Sequence, residues 1–127
     1  MTWGTFGRRR KGVIVNRSEP DFGPLWNVIP EVAAAFRWVE EVELRDGTRI
    51  HAYEHRVTSG AIHLTADRKA WVFEAPDGYR RSWLYPAVMG SLRPFMWDLG
   101  DSQTPAERDY WRALDMLYME RFGVAED

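Results

Sequence analysis

The sequence predicts an α+β fold in which an antiparallel meander of four to five strands is packed by a short N-terminal helix and a long C-terminal helix. Three observations support this prediction. Apolar and polar residues alternate between turn residues from Trp38 to Tyr85, as in half-buried strands. A capped amphipathic pattern begins at Thr104 and ends at Gly123. The length of 127 residues suits one domain. The meander is either open or curled toward a small barrel.

Composition narrows the class of protein. Apolar residues make up 45% and charged residues 28% of the chain, which excludes general disorder. The absence of cysteine excludes disulfides, thiolate zinc sites and cysteine nucleophiles. No apolar run reaches the roughly 18 residues of a membrane span, and residues 1–15 lack the apolar stretch of a signal peptide. We therefore expect a cytoplasmic protein without a membrane partner.

Charge is unevenly distributed, although the net charge is only −2. The N-terminal segment contains a basic cluster made of Arg8, Arg9, Arg10 and Lys11. Residues 98–127 are acidic overall. We predict that residues 1–11 form a flexible basic arm and that residues 12–127 form a single α+β domain. The arm either steers the domain toward an anionic partner or is a solvated N-terminal segment without a binding role.

The first elements are short. Val13, Ile14 and Val15 predict a buried strand over Gly12–Asn16. A loop rich in turn residues follows. Because proline breaks a helix interior but suits its first turn, we predict one helical turn at Leu25–Val28 and a separate helix over Pro30–Phe36.

Three turns set the expected strand pairing. A three-residue loop, Arg45-Asp46-Gly47, would leave Leu44 opposite Ile50 and place glycine at the left-handed position. A turn at Thr58-Ser59-Gly60 would pair His55 with His63. The third turn, Pro76-Asp77-Gly78, would set Ala75 opposite Tyr79.

The C-terminal helix has the clearest boundaries. Thr104 is the expected N-cap, Pro105 the first helical residue and Glu107 the partner in a capping box, while Gly123 ends the helix. One apolar arc is expected to pack on the sheet: Tyr110, Trp111, Ala113, Leu114, Leu117, Tyr118 and Phe122. Met116 and Met119 fall on the polar side, where they are either tolerated or available to a partner.

An aromatic strand face is the strongest functional feature of the sequence. The third turn would set Trp71 opposite Trp83 and Phe73 opposite Arg81, with Tyr79 on the same face. This face is either core beneath the C-terminal helix or a stacking platform flanked by arginine, as in proteins that bind single-stranded nucleic acid.

The histidines form a second candidate constellation. His51 and His55 share one strand face, and the predicted turn brings His63 beside His55. Two histidines with a carboxylate could bind a metal ion, or a histidine pair helped by Arg81 could cleave a phosphodiester. The alternative is an ordinary polar strand face. We expect no metal site and no cofactor.

A third feature is the apolar, proline-broken stretch that contains Phe95, Met96 and Trp97. These side chains either fill the core or form a docking patch, since aromatic residues and methionine are enriched at the centres of protein interfaces. The sequence contains no phosphate-binding glycine loop, nucleophile elbow or zinc-protease motif.

These observations favour a small non-catalytic interaction or regulatory protein. Its short chain without catalytic motifs would also suit an accessory protein of a phage or mobile element. Its expected protein-binding residues are Phe95, Met96, Trp97, Met116 and Met119. The first alternative is a protein that binds single-stranded nucleic acid through Arg8, Arg9, Arg10, Lys11, Trp71, Arg81 and Trp83. The second is a small ribonuclease that uses His55, His63 and Arg81. The sequence does not predict the oligomeric state.

Overall fold

The computed structural model describes residues 12–17, 19–74, 78–92 and 104–123. The predicted basic arm, with Arg8, Arg9, Arg10 and Lys11, lies outside the described residues. Three of the expected protein-binding residues, Phe95, Met96 and Trp97, also lie outside them.

The described chain forms six strands and three α-helices. Their bounds are β1 Gly12–Ile14, α1 Gly23–Trp26, β2 Phe36–Leu44, β3 Arg49–His55, β4 Ala61–Leu64, β5 Ala70–Glu74, β6 Gly78–Ser82, α2 Leu84–Leu92 and α3 Pro105–Phe122. The strands form one antiparallel sheet in sequence order. The predicted α+β class and antiparallel meander are confirmed, with six strands instead of the expected four to five.

The two faces of the sheet bury separate clusters of side chains. On the helix-covered face, Tyr53, Ile62 and Leu64 pack with Val88 of α2 and Tyr118 of α3. The opposite face carries a smaller cluster formed by Val42, Leu44, Ile50 and Tyr79, with the half-buried Trp71 beside it. Because β6 lies four places from β2 in the sheet, their contact shows that the sheet curls around this second face. We call it the concave face.

A short N-terminal helix is present, but its bounds differ from the prediction and the second helix does not form. The helical turn is α1, which starts at Gly23, and the expected helix over Pro30–Phe36 is reduced to a 3-10 turn at Ala33–Ala35. Phe36 already has an extended backbone and begins β2. Burial of Phe36 in the main core outweighs the helical propensity of the preceding alanines.

The end of the meander also differs from the prediction. The sequence suggested a strand up to Tyr85, but the chain leaves the sheet after Ser82 and forms α2. This helix contacts β3, β4 and β5 on the helix-covered face and is buried through Leu84, Val88 and Leu92. Pro86 lies in the first turn of α2, where proline is compatible with a helix.

The first hairpin loop is confirmed. Gly47 has a φ of 92°, and its amide donates to the carbonyl of Leu44. The expected pairing of Leu44 with Ile50 is wrong, since Leu44 bonds to Thr48 while Val42 lies opposite Ile50. A shift by two residues preserves the faces, so the apolar residues of this hairpin still lie together on the concave face.

The caps of α3 are confirmed. The Thr104 hydroxyl accepts from the amide of Glu107, whose carboxylate accepts from the amide of Thr104, and Gly123 ends the helix. The predicted packing on the sheet is only one part of the contacts of α3: the helix packs mainly against α2, and Tyr118 also reaches the core cluster that contains Tyr53 and Ile62 of the sheet. Packing against the single helix α2 buries a narrower stripe of the α3 surface than packing against a whole sheet would. Tyr118 and Phe122 are therefore buried, whereas Tyr110, Ala113 and Leu117 of the predicted arc are exposed.

Within the part of the chain that the structure describes, no helix is both long enough and apolar enough to span a lipid bilayer.

Candidate functional site

A β-bulge at Val39 divides strand β2 between the two faces of the sheet. Trp38 lies opposite Tyr53, yet Glu40 lies opposite Ala52, so Val39 has no partner. The extra residue reverses the alternation of side chains along the rest of the strand. Glu40 therefore points to the concave face and Glu41 to the helix-covered face.

The concave face contains a cavity of ≈ 480 Å³ that none of the described helices covers. Its lining side chains come from five strands of the curled sheet: Gly12, Ile14, Glu40, Val42, His63, Phe73 and Tyr79. We call this cavity the groove. Its volume lies within the range of about 300–1,000 Å³ that is common for binding sites of small ligands. Apolar and aromatic walls around a few polar groups are also typical of such sites.

The polar groups of the groove have distinct charge states. Burial, assisted by the negative charge of Glu40, raises the pKa of Tyr79 to about 12, so this phenol is neutral at physiological pH. Burial lowers the pKa of His63, which favours a neutral imidazole. Glu40 forms no ion pair or side-chain hydrogen bond with any described residue. It is consequently the one charged group among the described residues of the groove at neutral pH.

The aromatic rings of the groove are packed against one another. The Tyr79 ring lies 5.1 Å from the Phe73 ring and 5.4 Å from the His63 ring, measured between centroids. Tyr79 itself is buried, whereas Phe73 is 48% exposed at the rim. Tyr79 is therefore packed into the wall of the groove, and Phe73 is half-exposed at its rim.

Strand β1 forms the other rim. Val13 and Ile14 are 71% and 66% exposed, so the strand is confirmed but its expected burial is wrong. The reason is that β1 lies at the edge of the described sheet, where β2 is its single partner among the described strands. Gly12 allows that pairing, because a Cβ atom there would lie 1.9 Å from Cγ1 of Val42.

A second cavity, of ≈ 700 Å³, lies between the β2–β3 hairpin, the β4–β5 turn and strand β6. Its charged lining residues are Asp46, Arg49, Asp67, Lys69, Arg80 and Arg81. We call it the basic cavity. The Arg81 guanidinium lies 5.7 Å from the centroid of Trp71 and donates to the carbonyl of Ala70. Neither Lys69 nor Arg81 forms an ion pair with a carboxylate of the described residues.

The predicted stacking platform is only partly formed. The observed register sets Trp71 opposite Arg81 and Phe73 opposite Tyr79, so the expected pairing of Trp71 with Trp83 is wrong. Trp83 is exposed but lies between β6 and α2. Trp71 is half-buried, and its indole nitrogen is enclosed without a hydrogen-bond acceptor among the described residues. The expected placement of this face beneath the C-terminal helix is also wrong, because α2 and α3 lie on the opposite face.

The predicted histidine pair does not form. His63 lies opposite Ala52 on the concave face, whereas His51 lies opposite Leu64 on the helix-covered face. The amide of His55 bonds to the carbonyl of Gly60, which shifts the pairing by three residues from the prediction. An odd shift reverses the face of every side chain in β4. No group of three or more potential metal ligands occurs among the residues that the structure describes.

His55 and Arg81 consequently have separate environments. The Nδ1 atom of His55 accepts from the amides of Val57 and Thr58 and thereby closes the β3–β4 turn. Burial lowers the pKa of His55. Arg81 lies on the concave face in β6, which is three places from β3 in the sheet, beyond β4 and β5. These positions remove the shared site that the ribonuclease hypothesis requires.

Glu41 forms a buried charge cluster on the helix-covered face. Its carboxylate accepts from Arg17 at 2.7 Å and from Arg49 at 3.0 Å. The Nε2 atom of His51 lies 3.7 Å from the same carboxylate, and its Nδ1 atom accepts from the indole of Trp38 at 3.2 Å. Burial lowers the pKa of His51, against the opposing effect of Glu41. Every polar group of this cluster has a partner, so we interpret it as structural.

The two expected docking residues within the described chain lie on α3. Met116 is 64% and Met119 is 39% exposed, and both lie outside the stripe that packs on α2. Because α3 is on the helix-covered side, this surface is separate from the groove.

The sequence did not identify Glu40 or Tyr79 as site residues. The regular spacing of Phe36, Trp38, Val42 and Leu44 suggests one continuous strand face and conceals the bulge. Among the groove residues, Phe73 and Tyr79 lay on the predicted aromatic face and His63 was a candidate of the histidine pair, whereas the sequence carried no signal for Glu40.

No protein-family model, curated protein or solved structure matches the chain.

Proposed function

We propose that this chain is a non-catalytic interaction protein that binds an extended segment of a protein partner along β1 and the groove. The observation that carries the proposal is the combination of an apolar edge strand with a concave face that no described helix covers. Val13 and Ile14 are the most exposed large apolar residues of the described strands, and Ile14 also lines the groove.

Edge strands are suited to this kind of recognition. The outer side of β1 has no partner strand among the described residues, so its backbone groups are available for pairing. A peptide that adds to a sheet edge gains main-chain hydrogen bonds, and side-chain pockets next to the edge select its sequence. The groove beside Ile14 is such a pocket. An exposed apolar patch with a polar rim is a further feature of protein-binding surfaces.

The test is affinity capture from a lysate of the source organism with matched surface variants. We expect the wild-type protein to retain specific partners and Phe73→Asp and Ile14→Asp to lose them, because each variant places a charge on the groove rim. Val57→Asp is the control, since Val57 is highly exposed in the β3–β4 turn and does not line the groove. All variants should show native circular dichroism.

The same experiment evaluates the helix surface. If Met116→Asp or Met119→Asp abolishes capture while Phe73→Asp does not, the partner binds α3 and the groove is not the docking surface. If every variant captures the same proteins as the wild type, neither surface binds a partner.

Binding of single-stranded nucleic acid is the second candidate function. The specific observation in its favour is the basic cavity, where Arg81 lies over Trp71 and Lys69 has no acidic partner among the described residues. Tryptophan fluorescence with mixed-sequence single-stranded RNA and DNA separates the two candidates. Quenching at about 50 mM salt that is lost at about 200 mM supports nucleic acid. No quenching at either concentration removes this candidate.

A further inference from the structure

We propose that the groove binds the guanidinium group of an arginine side chain, carried by the extended partner segment. This inference rests on the proposed function, since it assigns the side chain that the partner places in the groove. The bulge at Val39 is the starting point, because it directs the Glu40 carboxylate into a cavity whose other polar groups are neutral.

The charge of the groove selects a cation. Glu40 has no cationic partner among the described residues, although the nearby Glu41 has two. A half-buried carboxylate without a partner is stabilised by a ligand that supplies a positive charge and N–H donors. The same carboxylate disfavours phosphate, so the groove is not suited to the backbone of a nucleic acid.

The walls of the groove favour a flat cation over a compact one. The Phe73 ring is half-exposed. Behind it lie two further rings, those of Tyr79 and His63, whose centroids are 5.4 Å apart, and the Tyr79 ring also contacts Phe73. Guanidinium is planar, stacks on aromatic faces and forms paired hydrogen bonds with a carboxylate. An ammonium group lacks the planar fork and is more strongly hydrated.

The position of the groove suits an arginine from an added strand. Ile14 lies on β1 and also lines the groove, so a segment paired to the outer edge of β1 runs beside the opening. Alternate side chains of that segment would point toward the concave face. The cavity of ≈ 480 Å³ has room for a whole arginine side chain.

The experiment uses full-length protein and blocked five-residue peptides of valine and threonine with arginine, citrulline or lysine at the centre. Citrulline has nearly the same shape as arginine but no charge. Binding is followed by NMR shifts of the β1, β2 and β6 amides. We expect the citrulline peptide to bind at least about tenfold more weakly than the arginine peptide, with lysine between them.

Two glutamate variants assign the preference to the groove. Glu40→Gln keeps the size of the side chain and should abolish the difference between arginine and citrulline. Glu43→Gln is the matched control, because Glu43 lies on the same strand and faces the other side of the sheet. It should leave the difference unchanged. Phe73→Ala should weaken all three peptides and leave the native fold intact, since Phe73 lies on the rim.

The proposal is overturned by equal binding of arginine and citrulline peptides, by a preference that persists in Glu40→Gln, or by the absence of shifts at about 10 mM peptide. If capture of a partner still depends on Phe73 in that case, the proposed function stands without the arginine pocket. If capture is also independent of Phe73, both proposals fail. Displacement of the arginine peptide by a single-stranded oligonucleotide would contradict the charge selection.

Discussion

Glu40 and Glu41 are adjacent in sequence, but their side chains point to opposite faces of the sheet. Glu41 is enclosed on the helix-covered face, bound by Arg17 and Arg49, whereas Glu40 faces the groove beside Tyr79. The bulge at Val39 decides which glutamate takes which position. One carboxylate consequently holds β2, β3 and the preceding loop together, and its neighbour has no bonded partner among the described residues.

The Glu41 cluster makes a first testable prediction. Glu41→Gln removes the charge that two arginines share in a buried position, while it keeps the size of the side chain. We expect the free energy of unfolding to fall by about 1–3 kcal/mol, measured by urea denaturation. Glu40→Gln serves as the control and should change stability little, because Glu40 has no bonded partner among the described residues. An equal loss in both variants would contradict the assignment of Glu41 to structure and Glu40 to binding.

Two glycines near α2 differ in the space around them. A Cβ atom on Gly60 would lie 2.3 Å from the carbonyl oxygen of Ser91, whereas a Cβ atom on Gly90 would have no described atom within 4 Å apart from its chain neighbours and the backbone of α2 itself. Gly60→Ala must displace α2 from the β3–β4 turn and should cost about 1–3 kcal/mol. Gly90→Ala should instead stabilise the protein by about 0.5–1 kcal/mol, as alanine favours a helix interior. Thermal denaturation of the two variants tests the contrast, and opposite signs are required.

The capping box of α3 predicts that removal of the Thr104 hydroxyl lowers the stability of the protein. Thr104→Ala leaves the amide of Glu107 without its acceptor and should destabilise the protein by about 1 kcal/mol. Thr104→Ser retains the hydroxyl and is the control. Hydrogen exchange at the first turn of α3 should accelerate in the alanine variant alone. Unchanged exchange would mean that packing on α2 holds this end of the helix.

Stability is expected to depend on pH through the histidines. Burial lowers the pKa of His51, His55 and His63 in the folded state. The unfolded chain therefore binds protons at a higher pH than the folded chain, so stability is constant above the ordinary histidine pKa of about 6.5 and falls as the pH drops below it.

The contribution of His63 can be isolated. It faces the concave side, where Glu40 is the charged group of the groove, and the pKa of His63 is lowered by burial. His63→Gln should give a shallower decline in the free energy of unfolding between about pH 7 and pH 5 than the wild type does. Urea denaturation at several pH values measures it. A parallel decline in both proteins would show that His51 and His55 account for the whole effect.

Local features were predictable from the sequence. The boundaries of α3 depend on bonds between Thr104 and Glu107, which are three residues apart, and on the backbone freedom of Gly123. The loop at Gly47 is equally local. The alternation of aromatic residues through Trp71 and Phe73 correctly placed these side chains on one strand face. In each case the residues that determine the local structure lie within a few positions of one another in the sequence.

The tertiary structure decided which surfaces are buried and which side chains meet. Strand register depends on contacts between distant residues, and an odd shift in β4 was enough to separate His63 from His55. The bulge in β2 lets one strand contribute Phe36 to the core under the helices and Val42 to the concave face. No local pattern specifies that division, since burial is a property of the assembled layers.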